Sequence, residues 1–461
     1  MSATLVLHEV LRDELLATLS SELETAGVLV CSIFETPDGH LRVLGREMLW
    51  VPESAYKARE IDYMSIMSEG YVPALGHAED GGFMAIWLHT HPGEFSTARP
   101  SKQDVKVDQK IADLFRLRTG SEYYGAIVIA LTDGDLSFCG HLDDGSTRYS
   151  IDRLWSVGRR FRLTSSSDAS SSSITAEFDR NVRAFGGGVQ KVLSGLQVGI
   201  VGCGGTGSAV AEQLVRLGVR HFYLADPDTL SESNVTRVYG STPQDVGSLK
   251  VETLANHLLN IAPNAEIALL PSMVTNESTA RRLTDCDVIF GCSDDNAGRL
   301  VLSRLSTYFL VPVIDCGVLL SSDAKKGGQL RGIDGRITTL IPGAACLVCR
   351  GRIDLQRASS ELLTPEERVR LANEGYAPAL GEIEPAVVTF TTMVSALAVS
   401  ELLGRLIGFG PDPAPSEILV RIHDHEISTN DIKPRVGHYC SLNSFKLGLG
   451  MTQPFLEQTW G

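Results

Sequence analysis

A glycine run, Gly202-Cys-Gly204-Gly205-Thr-Gly207, separates the apolar stretch Leu196–Val201 from a segment of helical pattern at Gly207–Leu217. Residues without a Cβ let the backbone pass close to a phosphate, and a helix N-terminus behind them adds N–H donors and a favourable dipole. Further apolar strands are expected at Val219–Ala225, Val288–Cys292 and Val311–Cys316. Strand and helix alternating in this way predict an α/β fold with a doubly wound, mostly parallel sheet. The default ligand of such a turn is a dinucleotide with Asp226 on a ribose hydroxyl, and on the turn alone a dehydrogenase is the first reading.

The residues that follow change that reading. Asp226-Pro-Asp228 leads to Ser233-Asn234-Val-Thr-Arg237 and then to Lys250. Asn, Arg and Lys gathered after the second strand suit a triphosphate better than a nicotinamide ring, which needs a dry site. Asp294, after the strand ending at Cys292, is placed to hold Mg²⁺ at the sheet edge, with Asp295 as the competing acid. Together these segments resemble the ThiF/MoeB/ubiquitin-activating superfamily of adenylyltransferases, from about Phe178 to Phe409. The resemblance implies a Rossmann-like domain in which Gly202, Gly204, Gly205, Gly207, Asp226 and Asp228 surround ATP. It also implies phosphate contacts from Asn234, Arg237 and Lys250, Mg²⁺ on Asp294, and Arg180 reaching the ATP of a partner subunit in a homodimer. The implied reaction is adenylation of a C-terminal glycine carboxylate on a ubiquitin-like protein, with a conjugating enzyme as a further partner.

The nine cysteines are scattered, as expected of thiols in a reducing cytoplasm. Cys346-Leu-Val-Cys349 is similar to the first half of that superfamily's structural zinc site. A second C-x-x-C is missing, and only His438-Tyr-Cys440 stands in its place, so the alternatives are a variant zinc site or a lost one. For a thioester nucleophile, Cys346 and Cys349 come first and Cys316 next; Cys203, Cys286 and Cys292 read as buried structural thiols.

The first third of the chain carries a different chemistry. Trp87-Leu-His89-Thr-His91-Pro92 puts two imidazoles on one face of a strand end, and Asp104 follows in Ser101-Lys-Gln-Asp104 at a helix start. Two histidines and a carboxylate make a three-ligand zinc site with a position left for water. This pattern is similar to the JAMM (MPN+, Mov34-like) metallopeptidase motif over about residues 4–145, with Glu24-Thr-Ala-Gly27 resembling the strand that carries its catalytic glutamate. The resemblance implies Zn²⁺ on His89, His91 and Asp104, proton transfer by Glu24, and oxyanion stabilisation by Ser101. Glu94 is a competing acid, and the loop from Pro92 to Ser101 is longer than the family's.

The expected organisation is an α+β JAMM-type domain over residues 1–160, a Ser-rich linker over 161–176 centred on LTSSSDASSSSIT, and the ThiF-type domain over 177–461. An amphipathic helix is expected at Leu7–Ser20, strands at Gly27–Phe34, Leu41–Trp50, Phe83–Leu88, Tyr124–Leu131 and Leu136–His141, and a helix from Ser101 to Arg118. The formal net charge of −15 argues against a broad nucleic-acid surface. Ala386–Phe409 carries Glu401 and Arg405 and reads as a core helix, so no membrane partner is expected. The leading expectation is a bifunctional enzyme that adenylates a ubiquitin-like modifier and hydrolyses at its C-terminus. Sulfur-carrier activation for cofactor or cysteine synthesis is the alternative, and a scaffold that has lost its chemistry is the non-enzymatic one.

Overall fold

In the computed structural model, residues 2–60, 63–93, 98–167, 175–323, 329–363, 367 and 386–460 are described. The chain divides into two compact units, Met1–Ser171 with Gly448–Met451, and Ser172–Leu447 with Thr452–Gly461.

The first unit runs β1 (Ser2–His8), α1 (Glu9–Thr18), β2 (Ala26–Glu35), β3 (Leu41–Trp50), β4 (Tyr56–Arg59), β5 (Met64–Ile66), α2 (Val72–Gly81), β6 (Met84–His91), α3 (Lys102–Thr119), β7 (Tyr124–Thr132), β8 (Asp135–Asp143), β9 (Arg148–Val157) and β10 (Arg162–Ser165). Its large sheet has the order β1-β3-β2-β6-β7-β8-β9-β10, and β1 also pairs parallel with β9, which closes the first seven strands on themselves with β10 outside. Residues 2–8 are therefore a strand, where the N-terminal sequence reads as an amphipathic helix, and Leu7 and His8 belong to it rather than to the helix expected at Leu7–Ser20. Six of the seven are buried, so no one-sided periodicity marks them. The linker expectation also fails at its start: residues 162–165 pair antiparallel with β9. Residues 168–174, the serine-rich centre of that linker, lie outside the described residues, as does Glu94.

One face of this sheet is covered by α3. Ser101 caps the helix with a capping box, its Oγ accepting from the Asp104 amide at 3.2 Å while the Asp104 carboxylate accepts from the Ser101 amide at 2.6 Å. At the far end Phe115 is buried among Tyr71, Trp87 and Tyr124, with ring centroids 5.3–6.2 Å apart. Helical spacing puts Asp104, Asp108, Ile111 and Phe115 on one stripe, and all four line a cavity of about 720 Å³.

The second unit runs α4 (Asp179–Gly195), β11 (Gln197–Val201), α5 (Gly205–Leu217), β12 (His221–Ala225), α6 (Lys250–Ile261), β13 (Glu266–Leu270), α7 (Glu277–Arg282), β14 (Val288–Gly291), α8 (Asn296–Tyr308), β15 (Val313–Asp323), β16 (Gln329–Leu340), α9 (Leu355–Glu361), α10 (Val388–Ile407), β17 (Glu417–Arg421) and β18 (Glu426–Asn430). The sheet order is β13-β12-β11-β14-β15-β16-β17-β18. The first five strands are parallel, as the alternating pattern predicts, and their central members are buried nearly throughout. The last three are antiparallel, an extension not expected from the sequence. Among the described residues α10 is the one helix long and apolar enough to cross a membrane. Here it packs on α5, where the Ser395 hydroxyl donates to the Thr206 carbonyl at 2.9 Å. Arg405 is buried within it and ion-paired to Glu401 at 2.6 Å.

Candidate functional site

In the second unit, β11 stops at Val201 and the chain turns through Gly202, at φ +92°, into α5. A Cβ on Gly202 would meet the Cys292 carbonyl at 2.8 Å, and one on Gly207 would lie 1.9 Å from the Gly202 carbonyl oxygen. No side chain fits at either place. A Cβ on Gly204 would meet nothing within 4 Å, so the open side of the turn faces the cavity. Asp226, at the end of β12, accepts from the Cys203 amide at 2.7 Å and from the Asp228 amide at 2.9 Å. Burial pushes its carboxyl up, opposed by Lys250 and these amides.

The cavity around this turn has a volume of about 1190 Å³ and is lined by Gly202, Gly204, Gly205, Asp226, Asp228, Asn234, Arg237, Lys250 and Asp294. These residues come from five separate stretches of chain, and the sequence reading assigned all of them to ATP and Mg²⁺. Gly207 is not a lining residue; it serves the close approach of α5. Lys250 pairs with Asp228 at 2.7 Å and lies 3.9 Å from Asp226. Asp295 is the N-cap of α8, accepting from the Gly298 amide, which leaves exposed Asp294 as the acid at the rim. Arg180 lies exposed near the start of α4 and does not line this cavity. The donor set of amides, Lys and Arg facing an exposed carboxylate fits a nucleotide polyphosphate with a divalent cation.

The cavity continues over the antiparallel extension, along Gly317, Arg336, Val420 and Arg421. Asp315, fully buried, holds Arg336 at 2.8 Å and Arg299 at 3.2 Å, and both arginines line the cavity. The sequence reading assigned no role to this trio. Its members come from α8, β15 and β16, and the antiparallel pairing of β15 with β16 brings Arg336 to Asp315. Cys292 and Cys316 face one another at the same wall, and their contact together with burial holds the Cys292 thiol well above its usual range.

Cys346, Cys349, His438 and Cys440 converge, with one ligand atom each inside a 4.8 Å cluster. Cys346 Sγ is 3.6 Å from His438 Nδ1, which is 3.2 Å from Cys440 Sγ, and Cys349 and Cys440 are 3.8 Å apart. A hydrogen bond from Cys440 holds the Cys346 thiol well below the usual range against its burial. Three thiols and an imidazole fit tetrahedral zinc. Cys346 and Cys349, the first candidates for a thioester nucleophile, lie in this cluster and do not line the cavity around the glycine turn, whereas Cys316, the next candidate, does.

In the first unit, β2 and β6 pair with Ala26 opposite His89, which sets Glu24 beside His91 just beyond the strand end. Asp104 Oδ2 lies 3.5 Å from His89 Nε2 and 3.6 Å from His91 Nε2, and Glu24 lies 4.0 Å from His91. Burial raises the Asp104 carboxyl, but His89, His91 and Ser101 outweigh it and hold it well below the usual range. Both ring nitrogens of His89 are buried without a hydrogen-bond partner. Orphaned imidazole nitrogens beside a second imidazole and a carboxylate fit a metal ion. Ser101 lines the same cavity.

Two substitutions check these centres. Gly207→Ala drives a methyl into the Gly202 carbonyl, so ATP binding measured by calorimetry falls at least about tenfold while a nearby surface change leaves it intact. Cys349→Ser removes one of the four converging side chains, and zinc per chain by atomic absorption should drop by about one equivalent.

The comparisons with known proteins bear on the second unit. An adenylyltransferase and sulfurtransferase, UBA4, of Meyerozyma guilliermondii is 30% identical over 131 residues, 28% of this chain and 30% of the relative. The molybdopterin-synthase adenylyltransferase of Escherichia coli is 27% identical over 241 residues, 52% of this chain and 84% of that protein. A ubiquitin-like modifier-activating enzyme 5 of Oryza sativa is 26% identical over 227 residues, 46% of this chain and 48% of the relative. The match thus spans less than two thirds of the yeast and rice relatives. The family model for ThiF matches residues 178–440, more than half of the sequence, and the chain belongs to the ThiF family.

Proposed function

We propose that the second unit is an adenylyltransferase that activates the C-terminal glycine carboxylate of a small sulfur-carrier or ubiquitin-like protein. The observation that carries this reading is the single cavity joining the glycine turn, Lys250, Arg237 and Asp294 to a groove along β15–β18. The nucleotide end would seat ATP, with Asp226 on the ribose and α5 donors, Asn234, Arg237 and Lys250 on the phosphates. The groove would lay the protein's tail against it, Arg299 and Arg336 giving positive charge where the carboxylate arrives. A carboxylate oxygen attacks the α-phosphorus, the bond to the β-phosphate oxygen breaks, and pyrophosphate leaves with an acyl-adenylate formed. Mg²⁺ held through Asp294 would neutralise charge on the phosphates. Arg180, exposed on α4, would serve the site of a second copy.

Within this class the sulfur-carrier reading has the better support, since two of the three relatives described are a sulfurtransferase and a molybdopterin-synthase adenylyltransferase. With the thiols of Cys346 and Cys349 engaged in the cluster, a thioester on either is not part of the proposal. ATP–pyrophosphate exchange should depend on one small Gly-ended protein and fall about a thousandfold or more in Asp294→Ala. Exchange with no such protein, or exchange unchanged by the substitution, overturns the reading. Mass spectrometry of the partner then separates thiocarboxylate from lysine-linked conjugates.

A second reading rests on the His89–His91–Asp104 cluster and the orphaned imidazole nitrogens. We propose that the first unit is a zinc peptidase of JAMM type acting at the C-terminus of the same small protein. Zinc would supply Lewis acidity to the scissile carbonyl. Glu24 would take a proton from the attacking water and give it to the leaving amine, while the Ser101 hydroxyl donates to the developing oxyanion. Glu24→Gln should abolish hydrolysis of a Gly-linked peptide, about a hundredfold or more in kcat, with zinc content unchanged. Full activity in that variant sinks the reading.

A further inference from the structure

The peptidase cavity has a second polar end. On the α3 stripe, Asp108 lies one turn beyond Asp104, and it faces His141 at 3.3 Å and pairs with Arg148. His141 belongs to β8 and Arg148 opens β9, so α3 carries one carboxylate to the histidine pair and another to this cluster. The sheet register fixes their separation. His89 stands opposite Val128, and His141 opposite Ala126 one strand further on. Two strands and two residues amount to roughly 12 Å between backbone positions. With side chains reaching in from both ends, about one extended residue fits between them.

Asp108 is mostly buried and His141 largely so, whereas half of the Arg148 side chain is exposed at the cavity wall. Burial raises the Asp108 carboxyl, but His141, Tyr124 and Arg148 outweigh it and keep it ionised. Arg148 spends only Nη2 on these partners, donating to Asp108 and to His141 Nε2. Its Nε and Nη1 make no hydrogen bond among the described residues, so a donor remains for a charge-assisted hydrogen bond to a carboxylate. A guanidinium already neutralised and pinned by a buried acid keeps its orientation without a ligand.

We propose that Arg148, braced by Asp108 and His141, forms a subsite for the α-carboxylate of a single amino acid on the leaving side of the scissile bond. The first unit then removes one C-terminal residue from a Gly-ended small protein. Water adds its hydroxyl to the glycine carbonyl carbon and a proton to the departing nitrogen, the amide C–N bond breaks, and a free amino acid leaves. The other product carries the glycine carboxylate on which the adenylating reaction depends. This rests on the zinc-peptidase reading of the His89 site.

The test uses the full chain and a synthetic peptide ending in Gly-Gly-Ala, as the free acid and as the amide. Binding is measured by calorimetry to the Glu24→Gln chain, so that no turnover intervenes. The acid should bind about tenfold or more tighter than the amide, and Arg148→Ala should erase that difference while leaving amide affinity unchanged. Arg148→Lys should restore only part of it, since a flexible ammonium is not pinned by Asp108 and His141 as the guanidinium is. Equal affinity for acid and amide, no binding of either, or a preference that survives Arg148→Ala overturns the subsite. Cleavage is read separately in the zinc-loaded wild type. An acid preference without hydrolysis would leave the subsite standing and reject the peptidase.

Discussion

The contact between Gly207 and the carbonyl of Gly202 sets the geometry of the second unit. Helix α5 comes so near the end of β11 that neither position admits a Cβ. That closeness aims the first amides of α5 into the cavity and brings Cys203 within 2.7 Å of Asp226, so the turn and the next strand end are locked together. α10 then grips the same helix from behind through Ser395 and Thr206. Asn234 and Arg237 on the segment after β12, and Lys250 at the first position of α6, take their positions from this framework, and a shift of the turn would displace every one of them.

Helix α3 plays a comparable part in the first unit by other means. Its capping box fixes the first turn, and Phe115, wedged among three aromatic rings, fixes the last. Between those anchors the helix can neither rotate nor slide without cost, so two carboxylates one turn apart keep a constant spacing. The His89–His91–Asp104 cluster at one end of the cavity and the Asp108–His141–Arg148 cluster at the other are thereby held to a common ruler.

Much of this architecture is legible in the chain, and the reasons for the rest are physical. β11, α5, β12 and β14 announce themselves through a glycine turn and apolar runs buried on both faces. β1 does not, because a strand buried on both sides has no alternation to separate it from a neighbouring helix, and only pairing with β3 and β9 decides it. β10 hides at the edge of a serine-rich segment, and its partner strand supplies what composition cannot. Among site residues, those at strand ends and helix starts stand in short ordered motifs: His89, His91, Asp104, Asp226 and Asp294. Asp315 with Arg299 and Arg336, and Asp108 with His141 and Arg148, are assembled across strands and carry no local signal. Cys346 and Cys349 are visible as half a motif, and the geometry shows His438 and Cys440 completing it.

That cluster joins parts of the chain 92 residues apart. An ion bound there would act as a cross-link, removing roughly 4–5 kcal/mol of loop-closure freedom from the unfolded chain. The loop so closed contains α10, β17 and β18, which are the helix behind the nucleotide turn and the far wall of the groove. The parallel strands β11 to β15 lie outside it. Losing the ion would therefore slacken β17, β18 and the helix behind the glycine turn more than the parallel strands, so that one bank of the cavity loosens before the other.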